Sequence, residues 1–407
     1  MVNRTRTFGW WLVVGVIGAL FTGCSATQPP PSPSPPATSA APTPSATTSP
    51  TPTPTPTPTP SAVAPLGEVD LDPKARLAIV PVNYDGVRVV TATFGKAAKG
   101  RQVSLQHETE EGWQELANGV VGDDAAVEFK VPFASDTYRA VVAAAADEPA
   151  VATPSAASKD QWRAGLSDDF DGGSLKGTDW GPRNEGSYLA GGRACSAPWI
   201  DNVEFADSAV RLKVTEETKA SRQRAARRAG CTKGEYYRNA MISTESRYTL
   251  RSGYLAARVK FPFGQGMHGS VWLQSYHRSE VDMVESYGFG RGMTSVIHLD
   301  GKQLPGSEDA WIRFEPLADP AWWDDYHVYS AEWGKDGIVV RIDGEVVQRI
   351  DKAPANVDYF VVISLLGSDW ELKRLRAPYQ GVPGVEVEPQ PLPGVMEVDW
   401  VKTWTRR

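Results

Sequence analysis

The segment Ser279-Glu280-Val281-Asp282-Met283-Val284-Glu285-Ser286 sets three carboxylates in the spacing E-x-D-x-x-E inside an apolar run. Successive side chains of a strand point to opposite faces, so Glu280 and Asp282 share a face and Glu285 falls on the other. An unpaired acid turned into a core costs several kcal/mol. One extra residue between Asp282 and Glu285, a β-bulge, returns Glu285 to the face of its two partners. The segment therefore predicts a bulged strand with three acids gathered on one side. Clustered carboxylates of this kind suit acid/base and nucleophilic work at a glycosidic bond. Taken alone, the same run reads equally as an acidic strand end able to hold a cation.

The surrounding sequence is that of an all-β protein. From 160 to 407 helical periodicity is nearly absent and strands are short, as in 252–262 and 337–344, the latter ending in the hairpin signal Asp343-Gly344. About 250 residues of this kind suit one large two-sheet jelly roll. Residues 66–149 show a second set of short alternating strands, with Val127, Phe129 and Val131 and then Tyr138, Ala140 and Val142 at two-residue spacing. This set predicts a smaller immunoglobulin-like β-sandwich with no chemical constellation, read as a spacer. Residues 150–160, mostly Ala, Ser, Thr and Pro, read as a linker between the two.

Upstream, residues 25–65 are Pro, Thr, Ser and Ala with a Thr-Pro repeat over 51–60, a composition that cannot bury enough apolar surface to fold. Extended at about 3.1 Å per residue, such a stretch spans on the order of 100 Å. Residues 1–24 read as an export signal, with Arg4 and Arg6 before the apolar stretch 8–21. Leu20-Phe21-Thr22-Gly23-Cys24 resembles a bacterial lipobox, which implies lipidation of Cys24 and a place on the extracellular face of the cytoplasmic membrane. Of the three cysteines, Cys195 and Cys231 then remain as a pair in an oxidising setting, and a disulfide between them is expected. The net charge of −7 argues against nucleic acid as a partner. No feature calls for more than a monomer, and membrane contact is expected through the lipid alone.

An ordered series of matches spans most of 165–407. It begins with Asp169-Phe170-Asp171-Gly172 through Trp180, then Ser252-Gly253-Tyr254-Leu255-Ala256-Ala257-Arg258-Val259-Lys260-Phe261-Pro262, Gly264-Gln265-Gly266 and Val271-Trp272-Leu273. After the acids come His298, the stretch from Tyr326 to Trp333, Ile342-Asp343-Gly344 and Glu397-Val398-Asp399-Trp400-Val401. In this order the residues resemble glycoside hydrolase family 16, the laminarinase, lichenase and agarase group. The resemblance implies a concanavalin-like jelly roll and a retaining mechanism with Glu280 as nucleophile, Glu285 as acid/base and Asp282 between them. It also implies an aromatic-lined groove, with Trp272, Trp323 and Trp370 as candidates and His298 facing the sugar or Asp282. No cofactor is implied for catalysis. Asp399 matches an aspartate that holds a structural calcium in some members. The chain departs from many laminarinases in reading Met267-His268-Gly269 where Trp-Pro is common, and Ser279 where Gly precedes the first acid.

The expected function is endo-hydrolysis of a β-1,3- or mixed β-1,3/1,4-glucan. The alternatives are a transglycosylase of the cell's own envelope polysaccharide, a galactan hydrolase, and a glycan-binding lipoprotein without turnover.

Overall fold

The computed structural model describes residues 69–133, 137–145, 148–188, 195–231, 234–299, 301–303, 310–351, 357–367 and 390–407. Cys24, the 25–65 stretch and Trp370 lie outside them. Among the described residues no helix is long and apolar enough to cross a membrane.

The N-terminal part forms a small two-sheet sandwich. One sheet has three strands, Arg76–Ile79, Val87–Thr93 and Ala126–Pro132. The other runs in the order Asp70–Leu71, Val151–Ala152, Thr137–Val142, Gln102–Thr109, Gly112–Val120, with Ala156–Ala157 also on Thr137–Val142. Alternate apolar side chains meet between them, among them Ile79, Val90, Leu105, Phe129 and Tyr138. The structure corrects the expectation of a linker at 150–160. Its small residues pair as two short strands of this sandwich, and the helical turn Ser158–Gln161 leads directly into the next domain. Small side chains fit such edge pairing as well as they fit a linker, so composition alone misplaced the boundary.

The second part is a two-layer jelly roll. Its strands form one ladder of sixteen that turns back on itself where Ala209–Glu216 meets Tyr237–Ser243 by a short pairing of two rungs. The acid-bearing layer contains Tyr237–Ser243, Tyr359–Gly367, Met267–Ser275, Glu280–Ser286 and Met293–Leu299, all antiparallel. The opposite layer contains Gly394–Arg406, Gly253–Lys260, His327–Gly334, Gly337–Ile342 and Glu345–Ile350. Between the layers lies the main core, with Leu212, Leu255, Val271, Leu273, Tyr329, Val361, Ile363 and Val398 among its members. At the expected hairpin, Asp343 and Gly344 both take positive φ, 49° and 83°, as a type I′ turn requires.

The longest helical element among the described residues departs from the all-β reading. Residues Ala220–Arg228 form a nine-residue helix. Alanine and arginine are strong helix formers, and only Ala226 is buried, so propensity rather than an apolar stripe carries it. Arg222 fixes it to the domain by its ion pair with Asp201 at 2.9 Å and by lying 3.5 Å over the Trp199 ring.

The small sandwich is docked on the outer face of the jelly roll's second layer. Val80, Val82, Tyr84 and Val89 from one side pack with Trp162, Tyr254, Ala256 and Val328 from the other. Within this contact the Tyr84 hydroxyl lies 2.5 Å from that of Tyr254 and 2.8 Å from Ser330 Oγ. Arg341 reaches Glu128 with both terminal nitrogens, at 3.0 and 2.6 Å. The tip of the 343–344 hairpin presses on the sandwich, where a Cβ on Gly344 would stand 3.1 Å from Val89. These contacts replace the sequence-based expectation of a spacer.

Candidate active site

The strand Glu280–Ser286 carries the expected bulge. On its neighbour Met293–Leu299, Asp282 pairs with Val296 and Glu285 with Thr294, three steps against two. Towards Met267–Ser275 the same extra residue shows as Asp282 opposite Trp272 and Val284 opposite Val271. Met283 and Val284, consecutive in sequence, therefore both enter the core with Val281, and all three acids emerge on the outer face.

Each acid sits in a rung of three strands. Glu280 lies between Gln274 and His298, Asp282 between Trp272 and Val296, and Glu285 between Ser270 and Thr294. The rung residues decide how each carboxyl is held. Gln274 donates from Nε2 to Glu280 at 3.3 Å. His298 Nε2 stands 3.5 Å from Asp282 Oδ2. Thr294 Oγ1 donates to Glu285 Oε2 at 3.0 Å, and His268 Nε2 lies 2.7 Å from Glu285 Oε1. Burial pushes the Glu280 carboxyl above its ordinary value. The charge of His298 and hydrogen bonds from Asp282 and Gln274 pull it back, while the charge of Glu285 pushes it further up.

Of the residues expected at the site, the three acids, Trp272 and His298 are brought together. Trp272 is half-buried on the acid side, with Nε1 donating to Ser364 Oγ at 3.2 Å. Trp323 is not at the site. It is buried in the core, Nε1 bonded to the Leu317 carbonyl, because the short helix Pro320–Asp324 turns it inward against Phe289. Asp399 has a guanidinium as its partner: Arg258 Nη1 stands 3.0 Å from its carboxylate, and Arg258 Nε reaches Asp85 of the small sandwich. A cation already neutralises that carboxylate, so the residues there do not fit a calcium. Cys195 and Cys231 share one buried cluster with Ala226 and Tyr236.

Several residues at the site went unnoticed in the sequence. His268, Ser270 and Gln274 follow from Trp272 by two-residue alternation. Thr294 requires the pairing register. Arg183, 91 positions before Gln274, requires the fold: it donates to the side-chain Oε1 of Gln274 and to Glu245, and lies 4.8 Å over the Phe360 ring. Tyr287 stacks on His268 at 4.7 Å and meets Trp311 at 5.7 Å, which gives Glu285 an aromatic flank. Among the described residues the cluster of metal-ligand type is Glu280, Asp282 and His298. Its members are the acid strand itself and the histidine facing it.

Three acids stand aligned by a bulge on the outer face of a jelly-roll sheet, flanked by tryptophan and histidine, an arrangement that suits chemistry at a glycosidic bond. Residues 200–373 match the family described as Glycosyl hydrolases family 16, and this part of the chain is a domain of that family. The chain is 22% identical over 271 residues to glucan endo-1,3-beta-glucosidase A1 of Niallia circulans, covering 58% of this chain and 37% of that protein. It is 27% identical over 194 residues to kappa-carrageenase of Pseudoalteromonas carrageenovora, covering 40% of this chain and 46% of that protein. The chain thus spans less than half the length of either relative. Among solved structures, it is similar to the catalytic domain of an endo-1,3-beta-glucanase from Thermotoga petrophila RKU-1, with 18% identity, a TM-score of 0.46, and coverage of 61% of this chain and 99% of that one.

Proposed function

We propose that the protein is a retaining endo-glycosidase that cuts β-1,3- or mixed β-1,3/1,4-glucan by double displacement. The observation that carries this reading is the alignment of Glu280, Asp282 and Glu285 on one face by the bulge at Met283-Val284. In the first step the Glu280 carboxylate attacks the anomeric carbon while Glu285 gives its proton to the departing glycosidic oxygen. In the second, water attacks that carbon, Glu285 takes the water's proton, and Glu280 leaves as carboxylate. The nucleophile must be ionised although it is buried; the Gln274 amide donates to it, and Asp282 does so when that carboxyl carries a proton. Trp272, opposite Asp282, offers an aromatic face to a sugar ring.

The reading is tested by reducing-sugar release from laminarin, lichenan, agarose and carrageenan, with the full folded chain beside Glu280→Gln. Release from laminarin or lichenan that the substitution abolishes supports the reading, whereas release from agarose or carrageenan alone overturns the glucan assignment. Release from none of the four by the unaltered chain sinks it. We also propose that Cys24 carries a lipid that holds the enzyme at the outer face of the cytoplasmic membrane. Cys24→Ala should then shift the protein from the membrane fraction to the medium.

A further inference from the structure

His268 occupies a position for which the double displacement has no assigned part. It is buried, at 6% exposure, on the acid side of Met267–Ser275. A buried histidine needs polar partners. The partner here is the acid/base itself, through the 2.7 Å contact between His268 Nε2 and Glu285 Oε1. The imidazole is fixed in plane by Tyr287, whose ring stacks on it with planes 21° apart. The other carboxyl oxygen of Glu285 is held by Thr294. The carboxyl is therefore gripped at both oxygens and cannot rotate without breaking one contact.

A nitrogen and a carboxyl oxygen 2.7 Å apart are in hydrogen-bond contact. In the Nε2–H tautomer His268 donates to Oε1, and the proton that Glu285 transfers is carried on Oε2, the oxygen that Thr294 contacts. Nε2 keeps its hydrogen throughout. Its bond to Oε1 strengthens when the Oε2 proton passes to the departing sugar and leaves a carboxylate. We propose that His268 is a positioning residue for the acid/base, one that orients Glu285 and stabilises its carboxylate as the leaving group takes the proton. The step balances. The Glu285 proton moves to the glycosidic oxygen, that oxygen takes the electrons of the breaking C–O bond, and a Glu280 oxygen forms the new bond to carbon. This inference rests on the assignment of Glu285 as acid/base.

The contribution should scale with how much the leaving group needs a proton. The experiment compares the unaltered chain with His268→Ala and His268→Gln on laminarin, on phenyl β-laminaribioside and on 2,4-dinitrophenyl β-laminaribioside. The dinitrophenolate departs with little protonation. Expected is a fall in kcat/KM, which reports the step in which the leaving group departs, for His268→Ala of about 10- to 100-fold on laminarin and the phenyl glycoside, shrinking to a few-fold on the dinitrophenyl glycoside. His268→Gln, which keeps a donor near Glu285, should lose less than His268→Ala on the first two. Equal losses on all three substrates mean a merely structural residue and overturn the proposal, as does no loss at all. Glu285→Gln, run alongside, separates the two readings. If it shows the leaving-group dependence and His268→Ala does not, the acid/base assignment stands and only the role of His268 fails. If Glu285→Gln shows none, the assignment fails and this inference with it. Thermal melts of both histidine variants identify any loss that is only unfolding.

Discussion

The two outer faces of the jelly roll both hold polar groups out of water, and they do so by opposite means. On the second layer, Tyr254, Ser330 and Arg341 are covered by another domain. Tyr84 and Glu128 of the small sandwich complete their hydrogen bonds. Burial pushes the Tyr84 hydroxyl up to about 12, so it serves as a neutral donor and acceptor. For Glu128, burial works to raise the carboxyl, but the hydrogen bond and charge of Arg341 outweigh it and hold the group below its ordinary value. On the acid-bearing layer no other domain supplies partners among the described residues. Neighbouring strands of the same sheet hold Glu280, Asp282 and Glu285, and burial wins at Glu280, whose carboxyl rises. A polar cluster finished by a second domain contributes stability. One held by its own sheet and left charged costs stability and is available for chemistry.

The sharpest way to break this comparison is to remove one acid. If the proposed double displacement holds, Glu280→Gln should lower turnover by about 10³-fold or more, because that route needs its nucleophile. The same variant should melt no lower than the unaltered protein. A large drop in Tm would mean that the acid face is a stability element like its opposite.

The matching change on the second layer is Arg341→Met. It strips Glu128 of its partner at the contact and leaves the reacting face untouched. Breaking a buried ion pair costs roughly 3–5 kcal/mol; with Glu128 part-exposed, about 2 kcal/mol is expected here, with kcat unchanged. Chemical denaturation of the full chain checks it. A fragment starting at residue 160 should be destabilised too, since it would expose Tyr254, Ala256 and Val328. If that fragment and the full chain unfold at the same denaturant concentration, the docked sandwich is a spacer after all.

A third pair of changes separates the tryptophans. Trp323→Ala opens the core and should cost about 3–5 kcal/mol. Trp272→Ala, on the half-buried outer face, should instead raise KM several-fold and cost less stability. Equal losses of stability would place Trp272 in the core.

This pair also shows what the sequence can and cannot convey. The acids and their bulge were legible because strand parity is a local rule, and six residues suffice to apply it. Trp272 and His298 were singled out through the resemblance, and both stand in strands next to the acids. Trp323 was misplaced because a tryptophan in an irregular loop carries no periodicity that says which way it turns, and here a 3-10 helix decides. Asp399 was read from a motif position, whereas its partner Arg258 comes from the strand beside it and Asp85 from another domain. The docking of the small sandwich left no trace that alternation could detect. Tyr254 and Glu128 lie in strands and Tyr84 in the turn before one, and nothing in their spacing marks them until the surfaces meet. Arg183 and Gln274 are 91 positions apart and are joined only by tertiary structure.

The smallest expected effect tests the cost of the acid face most directly. The Glu280 carboxyl rises on folding, so the native state holds that proton more tightly than the unfolded chain does. Its contribution to stability is then fully present below the unfolded value. It is lost as pH rises through the folded one. Glu280→Gln removes the titration. At neutral pH the variant should therefore be slightly more stable than the unaltered protein. The gain should fade as the pH is lowered past the ordinary glutamate range. Melts of both proteins across that range measure the difference. A gain that persists in acid would point to packing rather than charge. A loss at neutral pH would mean that Asp282, His298 and Gln274 compensate the buried carboxylate in full, and that the two faces differ less than their geometry suggests.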